Sequence, residues 1–495
     1  MQTKQDVIQW LEDNRERFIA MSDDIWAHPE IRWEEYRASK LQADFLADEG
    51  FTVWSIEEMP TAFIAEYGQG QPIIGFAGEY DALPGLSQKA QPTREPVEEG
   101  GLGHGCGHNL LGVGCLAPAV VIKEWLESTG IQGTVRYYGC PAEEGGSAKA
   151  YMARAGAFDD LDVAFNFHPS SFNMAQKDSC VAIVDTRFRF HGRTSHAGGS
   201  PHLGRSALDA VELMNVGVNY LREHVTPNVR MHYVITEGGQ APNIVPDLAE
   251  VWYYLRAPQV EELQEVIVRV NKIAEGAALM TETTLEIVPG RGSVNVLNNH
   301  CLADLQYAAM DEVGAINFTE EEMSFAQRIT DEYPTEMFED SVKDLTGTYK
   351  IKEEIARKPL ISQNTKVMDV GVIRTGSTDV GDMSWCVPLS MLRTACFPLA
   401  APGHSWGNAA TSGMSIGHKG MMHAAKIMAL AAMDCYSDPT YVQKAREEFE
   451  KTIQKRPYKS LLQEDVAKAD MKSVSSPDSL PERYPQCPFY DRNKR

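Results

Sequence analysis

The chain has 495 residues, too many for one ordinary domain, so two compact units with additions are expected. Apolar residues make up 43%, with 39 glycines and 26 prolines, a globular and loop-rich composition rather than a disordered one. The formal charge of −23 argues against a nucleic-acid or anionic-membrane surface and favours solubility. The N-terminal MQTKQDVIQWLEDNRERF has no apolar core of signal-peptide length, and no run approaches the roughly 18 apolar residues of a membrane span. Nine cysteines spread irregularly from Cys106 to Cys487 fit reduced thiols, and a cytoplasmic protein is expected.

In chain order, Trp10, Leu11, Phe18, Ile19 and Ile25 recur at helical intervals, and SKLQADFLADEGF continues as helix with a stop at Gly50. Four short apolar runs follow: PIIGFAGEYDALPG, GTVRYYGCPAEEGG, VAFNFHP and CFPLAAPGH, each closing on polar or glycine-rich sequence. With NLLGVGCLAPAVVIKEWLEST as a helix among them, they read as an α/β sheet, mixed or mostly parallel.

Residues 183–289 change character. VDTRFRFHG alternates as a strand, and Ala207, Val211, Met214, Val218 and Leu221 mark one face of a helix. Two more alternating segments follow, the second with Ala249, Val251, Tyr253 and Leu255 on one face. A helix with Leu263, Val266, Ile267, Val270 and Ala274 and the strand TTLEIVP complete the order β-α-β-β-α-β of a ferredoxin-like domain. Sheet-type sequence resumes after it, so the expected organisation is one domain inserted in another: 1–182 with 294–437, an insert at 183–293, and a helix and tail at 438–495. The charged, irregular segment 320–360 is expected as a partly helical surface excursion.

Polar groups of metal-ligand type fall where these strands end. Glu79 and Asp81 follow PIIGFAG; Cys106 and His108 sit in a glycine-rich loop entering a helix; Glu143 and Glu144 follow TVRYYGCPA; His168 follows VAFNF; His404 follows CFPLAAPG. Open α/β sheets build sites outside the carboxyl ends of their strands, so these segments can converge. Thiolate, imidazole and carboxylate together suit Zn²⁺ or a related divalent ion. A lone Cys-x-His or a lone strand-end histidine would carry little weight; the ordered set carries much more.

The segments YDALPG, GHGCGHN, CPAEEGG, FHP, HGRTSHAGG with PHLGRSALDA, and GQAPNIVPD resemble the amidohydrolase branch of the aminoacylase and carboxypeptidase metallopeptidase superfamily. The resemblance runs from about Ile25 to Ala432, and GSTDVGDMSW with GHSW brings it nearest to the aminobenzoyl-glutamate hydrolase group. It implies a three-layer mixed-sheet catalytic domain carrying an inserted lid that also forms a homodimer, and a homologous partner subunit is also expected. It implies that Cys106, His108, Glu144, His168 and His404 hold two divalent ions, manganese or zinc. Glu143 would be the general base, and Asp81 would orient the ligands from behind.

His196 and Asn243 would meet the substrate, an N-acyl amino acid of the p-aminobenzoyl-glutamate kind, with the lid histidine reaching the partner's site. Arg256, opposite Leu255 on its strand, is expected to take a substrate carboxylate, since its guanidinium is a rigid fork, or else to form a surface salt bridge. The alternatives are a dipeptidase or deaminase on the same scaffold, or a weakly active regulatory subunit. Many relatives read CGHD where this chain reads CGHN; Asn109 hydrogen-bonds without charge. The acidic loop before Cys106 is expected to border the entrance.

Overall fold

The computed structural model describes residues 1–56, 58–367 and 371–462. The strands in chain order are β1 Thr52–Ile56, β2 Met59–Gln69, β3 Ile73–Glu79, β4 Gly133–Cys140, β5 Val163–Ser170, β6 Asn173–Ala175 and β7 Ser179–Cys180. Then come β8 Ala182–His191, β9 Arg230–Glu237, β10 Leu248–Ala257 and β11 Thr284–Ser293, and finally β12 Asn364–Thr365, β13 Ile373–Arg374 and β14 Leu389–Ala395.

Eight of them form one mixed sheet in the order β1-β2-β4-β3-β5-β14-β6-β12. Its centre, β4-β3-β5-β14, is parallel, whereas β1, β2 and β6 run antiparallel to their neighbours toward the centre. Strand side chains alternate between faces, and here the alternation separates two cores. Phe76, Tyr137, Phe165 and Phe167 face the helices His108–Thr129 and Ser415–Ser437, while Ala77, Tyr138 and Ala164 face helix Ala148–Arg154 and helix Val380–Ser384. The sheet is therefore buried on both sides, which a parallel centre requires.

Helix His108–Thr129 is apolar nearly all round because it is packed on all sides. By length and composition it would span a membrane, contrary to the expectation that no run is long enough, but 89% of its most apolar window is buried inside the protein. Its first turn carries His108, so the central core helix begins at the candidate site.

Residues 182–293 form a separate antiparallel sheet, β11-β8-β10-β9, covered by helices Ala207–Leu221 and Val260–Thr281. The face set by Ala249, Val251, Tyr253 and Leu255 is buried against the helix face of Ala207, Val211, Met214, Val218 and Leu221. Trp385 of GDMSW is buried in the core of this unit, and its indole N–H donates to Asn295 O at 2.7 Å, fastening the returning chain to the insert.

One expectation needs correction, and two others gain detail. CFPLAAPGH is not a strand: β14 lies just upstream, because Pro398 and Pro402 cannot donate to a ladder. The 320–360 segment is ordered as helices Glu320–Asp331, Thr335–Gly347 and Glu353–Ala356, the first started by a Thr319–Glu322 capping box. The expected C-terminal helix is Pro439–Ile453, but the tail from 463 onward lies outside the described residues.

Helix Val380–Ser384 touches the chain leaving the insert so closely that a Cβ on Gly381 would overlap the Val294 carbonyl. Gly381→Ala is expected to cost about 1–3 kcal/mol through forced backbone displacement. An unchanged denaturant midpoint would contradict that contact.

Candidate metal centre

The site collects at the carboxyl edge of the parallel strands. β3 ends at Glu79 and leads to Asp81, β4 leads to Glu143 and Glu144, and His168 lies within β5. Cys106 and His108 enter from the loop and the first turn of the core helix, where Gly107 takes a left-handed φ of 77°. A side chain at 107 would crowd Phe397 and Pro169, so glycine lets the ligand-bearing loop pack against the sheet. His404 lies in the loop after β14, itself at φ 56°. Left-handed backbone at the non-glycine residues Ala142 and Ser147 also flanks the Glu143–Glu144 turn. Such geometry is costly and tends to cluster at functional sites.

The imidazoles are oriented from behind. Asp81 Oδ1 is 2.8 Å from His108 Nδ1, and its Oδ2 accepts the Glu144 backbone N–H at 2.8 Å. His168 Nδ1 is 2.7 Å from the Pro169 carbonyl, which can only accept. With Nδ1 held by these oxygens, both rings turn Nε2 inward, the nitrogen that could meet a metal ion. Cys106 Sγ lies 3.5 Å from His168 Nε2. Glu144 Oε1 lies 3.2 Å from His404 Nε2, although this buried oxygen makes no hydrogen bond. His108 Nε2 is likewise buried without one, 3.3 Å from Glu79 Oε2 and 4.0 Å from Glu143 Oε2.

These donors fit divalent ions. The atoms of Cys106, His108 and His168 lie within 4.8 Å of one another, as do those of Cys106, Glu144 and His404. The two triplets share the Cys106 thiol, so these five residues could hold two divalent ions. The electrostatics agree. Burial opposes ionisation of Cys106, but His108 and His168 outweigh it and hold the thiol well below its usual range. Burial and the Cys106 charge push Glu144 up to about 7. Burial, Glu144 and Glu79 push Glu143 well above the ordinary carboxyl range.

Sequence reasoning missed the groups beneath. Lys149 is fully buried, with Nζ 2.7 Å from Glu79 Oε1 and 2.6 Å from Asp379 Oδ1. Glu35, also fully buried, accepts from Ala142 N at 2.7 Å and Thr61 Oγ1 at 3.1 Å, supporting the left-handed turn ahead of Glu143. Glu79 with His108 and Glu143 forms a third compact group.

Other sequence-derived candidates lie apart. His196 and Asn243 are exposed neighbours on the inserted unit, linked by Ala197 N to Asn243 O at 2.9 Å, and neither lines the cleft of this chain. Arg256 does not line it either: its Nη1 donates to Thr375 O at 3.2 Å and Ser377 Oγ at 3.4 Å, behind the cleft wall. Asn109 touches no candidate ligand; its amide donates to Ser22 Oγ at 3.0 Å and Ser412 O at 2.9 Å, pinning the core helix. Of the acidic loop before Cys106, only Gly105 lines the cleft.

The model of peptidase family M20/M25/M40 matches residues 75–457, and the chain belongs to that family. It is 40% identical over 472 residues to a subunit of the p-aminobenzoyl-glutamate hydrolase of Escherichia coli strain K12, covering 93% of this chain and 98% of that protein. It is 36% identical to the Xaa-Arg dipeptidase of Mus musculus, over 56% of this chain and 63% of that one. Among solved structures, a dinuclear metal-binding peptidase of Bacillus subtilis superposes with a TM-score of 0.58 at 17% identity, over 86% of this chain and 99% of that one. The motif resemblance thus extends to nearly the whole chain, and the mixed α/β fold is shared.

The buried Glu79–Lys149–Asp379 set predicts a stability effect. Lys149→Met leaves two buried carboxylates without their cation and is expected to cost about 3–5 kcal/mol. Adding Asp379→Asn should recover part of the loss. Denaturant titration checks both, and a single variant as stable as the parent would contradict the ion pairing.

Proposed function

We propose that this chain hydrolyses the amide bond between an acyl or aroyl group and an amino acid, with p-aminobenzoyl-glutamate as the reference substrate. The observation that carries the reading is the pair of ligand triplets meeting at Cys106 with the Glu143 carboxyl beside them. Cys106, His108, Glu144, His168 and His404 would hold two divalent ions, manganese or zinc; a thiolate favours zinc on affinity, while availability in the cell can favour manganese. Bound there, such ions would supply an activated water and polarise the amide oxygen.

The protein's own groups supply the rest. Glu143 takes up the water's proton and returns it to the departing amine; its raised affinity for protons suits a group that must hold and release one. Asp81 fixes the His108 ring and the Glu144 backbone together, so its loss loosens two ligands at once. Adjacency of Glu143 and Glu144 allows one carboxylate to face the ions while the other faces the water.

His196 is preset as a donor. Its Nδ1 accepts the backbone N–H groups of Gly198 at 3.2 Å and Gly199 at 2.9 Å, which leaves the ring proton on the exposed Nε2. Within this reading the inserted unit forms a homodimer, or pairs with a homologous subunit, and His196 with Asn243 meets the substrate in the partner's cleft. Nε2–H there stabilises the negative charge that develops on the amide oxygen. Arg256 Nη1 donates to Thr375 O and Ser377 Oγ and so positions residues of the cleft wall.

Three measurements test this. Chelation should abolish hydrolysis of p-aminobenzoyl-glutamate, and Mn²⁺ or Zn²⁺ should restore it with close to two ions per chain; full loading without hydrolysis of any N-acyl amino acid or dipeptide would favour a regulatory role. Glu143→Gln should lower kcat by about 10²–10⁴-fold with metal content retained. His196→Ala should lower kcat by about 10²-fold without dissociating the assembly; unchanged turnover would refute the cross-subunit donor.

A further inference from the structure

The cleft that holds the candidate metal ligands has a volume of about 620 Å³, room for an aroyl-amino acid. Its far wall contains two arginines that neither the sequence motifs nor the mechanism above employs. Arg393 lies on β14 directly opposite His168 of the parallel neighbour β5, so the two side chains leave the same sheet face about 4.8 Å apart at their roots. Arg374 lies on β13, which pairs with β7. A substrate with its amide at the metal ligands therefore extends within reach of these guanidinium groups.

The two arginines differ in how they are balanced. Arg374 forms an ion pair through Nε with Asp178, whose side chain is only 2% exposed, and it also contacts Tyr349 Oη. Tyr349 Oη donates to the same carboxylate at 2.8 Å. Arg393 has no ion pair among the described residues. Its Nε donates to Gln176 Oε1 at 2.7 Å, and the buried Gln176 is oriented in turn by donating Nε2 to Asp178 O at 3.3 Å. Nη1 and Nη2 have no hydrogen-bond acceptor among the described residues, although Arg393 lines the cleft.

The remaining carboxylate of this wall, Asp344, is exposed at the rim and accepts from Thr348 Oγ1. Burial and the nearby charge of Arg374 lower the Arg393 pKa to about 10, the response of a cation short of counter-charge. In a chain of net charge −23, an aimed guanidinium whose nearest carboxylate, Asp178, is already paired with Arg374 is a place for an anion brought by the ligand.

We propose that Arg393, aimed by Gln176 and backed by the Arg374–Asp178–Tyr349 set, is the specificity residue that pairs with a substrate carboxylate through its two Nη nitrogens. This rests on the amide-hydrolase reading above. It also makes the cleft repel a substrate ending in a cation, the opposite preference to one for an arginine side chain.

The test uses full-length, metal-loaded protein with N-benzoyl-glutamate, N-benzoyl-glutamine and N-benzoyl-isoglutamine. Arg393→Gln should raise KM for N-benzoyl-glutamate by about 10- to 100-fold, with kcat within about threefold and metal content unchanged. Arg393→Lys should fall between the two. The monoamide on which wild type and Arg393→Gln behave alike identifies the carboxylate that is read, side-chain or α. Equal losses on all three substrates, or no loss on any, would overturn the proposal. If the wild type turns over none of them, the hydrolase reading fails, and titration with glutarate still decides on Arg393. Weaker binding in the variant supports the anchor, and equal binding removes it.

Discussion

The arrangement of this protein turns on placing an excess of carboxylates at one buried edge of a sheet. Glu35, Glu79, Asp81 and Asp379 are all at most 2% exposed, and Glu143 and Glu144 lie close by. Like charges cannot share such a place unless cations or protons balance them. Lys149 supplies one internal cation between Glu79 and Asp379, and two inward-facing imidazoles with a thiol lie on the other side. The position that remains is one that divalent ions would fill. Catalytic and structural demands are thus one electrostatic problem: ligands stay ordered because the groups behind them are paired.

Much of this was legible in the sequence because it follows from periodicity and position. Alternation assigned the buried faces of β10, and helical spacing assigned the packed face of Ala207–Leu221. The candidate ligands were found because strand ends in an α/β sheet converge, whatever the intervening length. Five separated residues accordingly meet in two triplets about Cys106.

What escaped the reading is equally physical. A buried lysine leaves no local signature, since Lys149 in SAKA has the composition of an exposed helix and only its distant partners explain it. Glu79 was visible as a strand-end acid, but its role depends on Lys149. Asp379 sat within GSTDVGD without any cue for a partner 230 residues away. The prolines of CFPLAAPGH were the overlooked evidence against a strand there, and the capping box at Thr319–Glu322 marks where the expected helix of the 320–360 segment begins. Asn109 directly follows a candidate ligand in sequence, yet helical geometry turns it to the opposite side, toward Ser22 and Ser412.

The points where the chain enters and leaves the inserted unit are not a neutral seam. β7, just before the insert, pairs with β13, so Cys180 stands opposite Arg374; Arg256 of the insert holds residues 375 and 377; and Val294, just after it, packs under Gly381. The crossover is therefore built from the same backbone that forms the cleft's arginine wall. Transplanting the insert between relatives at its sequence boundaries would sever this wall, so the two units must diverge together as the pocket acquires new ligands.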